Sequence, residues 1–94
     1  MRLVGRNKLE QFKRKHADVR AWISAWVAEV EDAEWRSPQD IKDRYASASV
    51  INRTVIIFNV KGNSYRLEVH VSYEAQVVVV IRWGTHAEYN SWTW

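Results

Sequence analysis

The sequence predicts an α+β fold in which N-terminal helices pack on one face of an antiparallel β-sheet. Three observations carry that expectation. Val55–Tyr89 holds three runs rich in Val, Ile, Tyr and Phe, joined by two short polar turns, the mark of consecutive strands. The middle run alternates: Tyr65, Leu67, Val69, Val71 and Tyr73 share one face, while Arg66, Glu68, His70 and Ser72 share the other. Upstream, Val19, Trp22, Ile23, Trp26, Val27 and Val30 recur at helical spacing, an apolar stripe able to cover one face of such a sheet.

Taken in order, Met1–Val4 alternates over four residues and predicts a brief strand at the sheet edge. Gly5–His16 predicts a helix whose Leu9 and Phe12, three apart, face the core. Arg6, Lys8, Lys13, Arg14 and Lys15 place five of the chain's 14 Lys and Arg within this helix. A solvated basic face is the plain reading, and a phosphate-facing surface the sharper one. Asp18 reads as the N-cap of a second helix, Asp18–Ala33. Trp22 and Trp26 read as core pieces lying across the Tyr65, Leu67, Val69 face rather than as an aromatic ligand box. Ser37-Pro38-Gln39-Asp40 starts a third, short helix: Ser37 caps, Pro38 takes the first helical position and Asp40 reaches back as in a capping box. Ile41 and Tyr45 anchor that helix, and Ala46–Arg53 leads into the sheet.

The strands are expected at Thr54–Val60, Tyr65–Tyr73 and Val77–Trp83. The turn Lys61-Gly62-Asn63-Ser64, where Gly62 and Asn63 tolerate positive φ, joins the first two. Tyr73-Glu74-Ala75-Gln76 joins the next two. Connections this short force an antiparallel meander. The nearly continuous apolar third strand suits a place inside the sheet.

With 94 residues, 47% of them hydrophobic, the chain can close one core, so one domain, residues 1–94, is expected. It has no Cys, which excludes a disulfide framework, a thiolate nucleophile and a Cys-based zinc site. No run approaches the roughly 20 apolar residues of a membrane span. Met1–Arg6 lacks a secretory apolar region, so a cytoplasmic protein without membrane contact is expected. A net charge of +3 leans weakly toward an anionic partner.

Candidates for chemistry start with three His residues. His16 ends the basic helix, where its cation favours the helix dipole, and reads as structural. His70 sits on the polar face of the middle strand near Glu68 and Arg66; His86 follows the third strand. There is no H-x-x-x-H pattern and no carboxylate cluster, so no metal and no cofactor are expected. No Ser occupies a nucleophile-elbow context. Basic residues, a His and a Tyr at one sheet end suit metal-free RNA cleavage, in which a 2′-hydroxyl attacks its own adjacent phosphodiester. That reaction needs a base, cations for the developing charge and an acid for the leaving oxygen. Arg66, Arg82, Lys61, His86 and Tyr89 supply those types, as would a generic basic groove. In a meander the start of one strand lies beside the end of the next, so Arg66 and His86 are expected to approach each other.

Phe58-Asn59-Val60-Lys61-Gly62-Asn63-Ser64-Tyr65-Arg66-Leu67 and Gly84-Thr85-His86-Ala87-Glu88-Tyr89 resemble the HigB family of toxins from bacterial toxin–antitoxin modules. Ala33-Glu34-Trp35-Arg36-Ser37-Pro38 and Met1-Arg2-Leu3 are similar to the same family. The resemblance implies a RelE-like fold, ribosome-dependent cleavage of mRNA and inhibition of translation. It also implies a helix-turn-helix antitoxin of the HigA type, with operator DNA bound only through that complex. Carried over by motif position, Arg66, His86 and Tyr89 become the catalytic candidates; Lys61, Asn63 and Arg82 are the RNA-binding candidates. The rival reading is a non-enzymatic toxin on the same fold that binds a protein target such as gyrase. Where family members follow the Tyr with Asp, this chain has Asn90-Ser91-Trp92-Thr93-Trp94. Asn90 can hydrogen-bond but carries no charge, and the two Trp are free to pack on the body or to stack on a base.

Overall fold

A sheet with one apolar and one polar face needs helices on one side only. The computed structural model, which describes residues 1–94, has that arrangement. The elements are β1 (Arg2–Val4), α1 (Arg6–Lys15), a 3₁₀ turn (Ala17–Val19), α2 (Arg20–Asp32), α3 (Pro38–Arg44), β2 (Ser49–Val50), β3 (Val55–Val60), β4 (Tyr65–Ser72), β5 (Val77–Thr85) and α4 (His86–Tyr89). The sheet order is β1-β5-β4-β3-β2. The meander β3-β4-β5 is antiparallel, while β1 runs parallel to β5 and pairs Arg2 with Val77 and Val4 with Val79. The fold is therefore α+β with a mostly antiparallel sheet. β5 has neighbours on both sides, which accounts for its apolar run. β2, with two residues, is too short to show a period in sequence.

Three local expectations change. Asp18 does not cap α2: residues 17–19 wind into the 3₁₀ turn, so Asp18 lies inside a turn rather than before a helix, and Val19 takes the cap position without a side-chain bond. The Asp18 carboxylate instead accepts the Tyr65 hydroxyl at 3.1 Å. At α3 Ser37 does accept from the Asp40 amide, but Asp40 Oδ2 reaches past it to the Arg36 amide at 2.8 Å. In the first turn the left-handed residues are Lys61 (φ 52°) and Gly62 (φ 69°), not Asn63, because the four-residue loop between Val60 and Tyr65 reverses the chain at its first two positions.

Leu9 and Phe12 of α1, Ile23, Trp26 and Val30 of α2, and Phe58, Leu67, Val69, Val78 and Val80 of the sheet belong to one cluster of 18 buried residues. Trp26 meets Phe58 edge-on with centroids 5.4 Å apart, and Phe12 stacks flat on Trp83 at 4.7 Å. Both geometries suit the charge distribution of aromatic rings. Trp22 is only half-buried, lying beside Trp26 and Tyr45. Gly5 (φ 97°) lets the chain turn from β1 into α1 tight against β5, where a Cβ would lie 3.0 Å from Val80.

One irregularity decides what the outer face carries. Val69 pairs with Val80, but Glu68 pairs with Arg82. Ile81 is thus an extra residue in β5, a β-bulge. The Ile81 carbonyl is held by Lys8 Nζ at 3.0 Å. Strict alternation after Val80 would send Arg82 toward the helices. The bulge turns Arg82 and Gly84 to the outer face, opposite Glu68 and Arg66.

Candidate active site

Arg66 is the centre of the outer face. It is 8% exposed, and its guanidinium is held on several sides. Nη1 donates to the Asn63 and Tyr65 carbonyls at 3.0 and 3.1 Å, and Nη2 lies 3.1 Å from His86 Nδ1. The guanidinium also covers the Tyr89 ring, 5.3 Å from its centroid. Arg66 and His86 approach because Arg66 pairs with Gly84, one step before Thr85 ends β5.

α4 is fixed by a capping box. The Thr85 hydroxyl accepts the Glu88 amide at 3.2 Å, and Glu88 Oε1 accepts the Thr85 amide at 2.9 Å. Those bonds hold the Glu88 carboxyl below its ordinary range, first through the Thr85 amide and then through its hydroxyl. The His86 amide donates to the Ser64 carbonyl at 3.1 Å, tying α4 to the β3–β4 turn. Four residues of helix are thereby aimed rather than merely tolerated. The signal was in the sequence, since Thr85-His86-Ala87-Glu88 is a T-x-x-E string.

A guanidinium has no acceptor, so His86 Nδ1 must accept from Arg66. The ring is then neutral in this contact and carries its proton on Nε2, on the exposed side of the site. Tyr89 is half-buried, between Arg66 on one side and Trp92 and Trp94 on the other.

The RNA-binding candidates do not all join this group. Asn63 contributes through its backbone carbonyl to Arg66, while its side chain accepts from Asn59. Lys61 donates to the Asp18 carbonyl at 3.2 Å, toward the helix side of the turn. Arg82 lies on the outer face, but Nε is committed to Glu68 Oε1 at 2.6 Å, Nη2 reaches the Thr93 carbonyl at 3.4 Å, and the guanidinium stacks 4.2 Å from the Trp92 centroid.

Two participants were not singled out by sequence reasoning. Glu68 is a buried carboxylate, 3% exposed, that accepts both Arg82 and His70 Nε2, the latter at 3.0 Å. Its signal was its place on the alternating polar face between Arg66 and His70. Gly84 is the other: a Cβ there would come 3.0 Å from the Trp92 ring and 3.3 Å from Glu88 Cβ. A Gly inside an otherwise apolar strand often marks such close approach. His16 has a packing role, its ring against Tyr65, Phe12 and Trp83. Partial burial, with Asp18 as hydrogen-bond partner, raises the Tyr65 hydroxyl above its ordinary range. No group of three or more His, Cys, Asp or Glu is arranged to hold a metal ion.

A family model for HigB_toxin, the RelE-like toxic component of a toxin-antitoxin system, matches residues 19–92. The chain belongs to the HigB toxin family. It is the toxin of a toxin–antitoxin system, and membership implies an antitoxin partner. No curated protein matches the chain. The matched span takes in β3, β4, β5 and α4, and so every residue of the Arg66, His86, Tyr89 group in this HigB-family toxin. No helix is long and apolar enough to cross a membrane.

Proposed function

We propose that this HigB-family toxin is a metal-independent endoribonuclease that cleaves mRNA in the ribosomal decoding site and so stops translation. The observation that supports this most is the contact between Arg66 Nη2 and His86 Nδ1. It puts a forked cation and a proton-exchanging ring within one phosphate's reach of each other.

Arg66 binds the scissile phosphate through two parallel donors and stabilises the charge that develops on phosphorus, a geometry Lys cannot match. In the free protein Arg66 occupies the lone pair of His86 Nδ1. When the phosphate draws the guanidinium to itself, that lone pair becomes free to accept the 2′-hydroxyl proton. The 2′-oxygen forms a bond to phosphorus, the bond to the 5′-oxygen breaks, and the imidazolium returns a proton from Nε2 to that oxygen. The products are a 2′,3′-cyclic phosphate and a 5′-hydroxyl, with no net change in protons. A neutral imidazole is suited to both transfers near neutral pH. Tyr89 orients Arg66 through its ring face. In the cell, which we take to be the cytoplasm, an antitoxin of the HigA type holds the toxin inactive, and operator DNA is bound only by that complex.

Programmed ribosomes incubated with the protein, followed by mapping of mRNA 5′ ends, test the proposal. Cleavage within the decoding-site codon by the wild type is expected, with loss of about 10²–10⁴-fold in rate for His86→Ala. Ribosomes that keep intact mRNA while growth still stops would favour the binding-only alternative. Full cleavage by His86→Ala would remove His86 from proton transfer and leave Tyr89 as the candidate.

A further inference from the structure

Trp94 is 53% exposed, the most exposed of the large apolar side chains; the other two, Val4 and Val50, lie at strand edges at 39% each. It is nevertheless placed. Its ring sits 5.9 Å from the Tyr89 ring, whose other side is covered by the Arg66 guanidinium. Its neighbour Trp92 is packed rather than exposed, against Gly84 and beneath Arg82. Arg82 also holds the Thr93 carbonyl, and Glu68 fixes Arg82 from below. The brace Glu68–Arg82–Trp92 thus fastens the segment on both sides of Thr93 and presents the indole of Trp94 beside the Arg66 group.

We propose that Trp94 and Tyr89 form a stacking site for an unpaired nucleobase of the nucleotide next to the phosphate that Arg66 holds. The proposal rests on the reading of this toxin as an mRNA-cleaving enzyme and adds a specific contact to it. An indole face binds any base through stacking, without hydrogen-bond readout, so the site gives affinity and position with little sequence choice. The bound base fixes its sugar, and hence the 2′-oxygen, relative to Arg66 and His86. Burial of Trp94 against the body would have served packing alone; exposure at the rim of a cationic site leaves one ring face free for a ligand. Arg82 acts here as a positioning residue, since it touches the segment and not the phosphate.

The test uses the full chain with programmed ribosomes. The mRNA carries 2′-deoxynucleotides in the decoding-site codon, which remove the attacking hydroxyl and leave binding as the readout. A second set of mRNAs lacks the base at one codon position at a time. Trp94→Ala is expected to weaken binding by about 5- to 150-fold, the range for loss of one base–aromatic stack. Trp94→Phe is expected to recover most of it. At one codon position, base removal is expected to weaken the wild type by a similar factor and to leave Trp94→Ala unaffected. Unchanged affinity for Trp94→Ala, or equal losses for wild type and variant at every abasic position, would overturn the stacking site. If the variant then cleaves all-ribose mRNA at the wild-type rate, the enzymatic reading survives that failure. Absence of both binding and cleavage by the wild type would overturn both.

Discussion

The two faces of strand β4 are built from the same ten degrees of backbone freedom per turn of pleat and do opposite things. On the inner face Leu67, Val69 and Val71 are buried among Phe58, Val78, Val80 and the helices. On the outer face Arg66 and Glu68 are as buried as core residues, 8% and 3% exposed, yet both are charged. The inner face tolerates one unpaired polar atom, Trp26 Nε1. The outer face pairs its buried groups: Arg66 with two carbonyls and His86, Glu68 with Arg82 and His70. A buried charge is stable only when paired. The inner face therefore holds the protein together, and the outer face stores a preorganised cation.

That comparison breaks if either face does the other's work. The largest separation is expected between Arg66→Ala and Trp26→Ala. Arg66→Ala is expected to lower cleavage by about 10²–10⁴-fold while costing only on the order of 1–2 kcal/mol of stability, the net worth of its hydrogen bonds. Trp26→Ala is expected to cost about 3–5 kcal/mol, with Trp22→Ala well below it because that ring is half-buried. Urea denaturation checks both. A collapsed Arg66→Ala, or equal losses at Trp22 and Trp26, would show that the faces are not separable in this way.

Glu68→Ala comes next. It leaves Arg82 and His70 without their shared carboxylate. Breaking a fully buried pair costs about 3–5 kcal/mol; because the Arg82 side chain is 38% exposed, a loss of about 1–3 kcal/mol is expected instead. A double-mutant cycle with Arg82→Ala should recover a coupling of about 1 kcal/mol or more between the two. Additive losses would mean that Arg82 does not depend on Glu68.

Gly84→Ala sharpens the outer face further. The added methyl meets Trp92 at 3.0 Å and Glu88 at 3.3 Å, so the Asn90–Trp94 segment must shift by a few tenths of an ångström. On the order of 1 kcal/mol is expected, together with a change in the tryptophan emission of Trp92 and Trp94. A variant with native emission and native stability would show that the segment yields without resistance.

The smallest effect concerns pH. The Glu88 carboxyl lies below its ordinary value of 4.5 because the Thr85 amide and hydroxyl bond its charged form. A depressed carboxyl contributes stability above its unfolded value and loses that contribution as pH falls through its folded value. Acidification below about 4.5 is therefore expected to loosen α4 before the core responds. Tryptophan emission followed against pH, with Glu88→Gln as control, checks this; identical acid profiles for the two proteins would rule out the cap as the titrating unit.

Much of this could be read from local pattern. The meander, the helix over Trp26, the edge strand at Met1–Val4 and the meeting of Arg66 with His86 all follow from side-chain period and turn length, which are properties of a few adjacent residues. The T-x-x-E string that starts α4 was equally local, but it lay in what looked like a turn. Asp18 misled because a good capping residue is also a good hydrogen-bond acceptor for a distant Tyr65, and the 3₁₀ turn let it serve the latter.

The sequence by itself determined which strands form, which face of each is apolar, and that a cation and an imidazole would share one end of the sheet. Tertiary structure alone decided the face on which Arg82 emerges and the path of Asn90–Trp94. The bulge at Ile81 is an agreement between two strands and the Lys8 ammonium above one of them, so neither strand's own pattern encodes it. The Trp92 ring has no periodic partner in sequence. It settles where a missing Cβ at Gly84 leaves room and the Arg82 guanidinium supplies a flat cation to stack on, and those two features come together only once β5 is bulged and paired with β4.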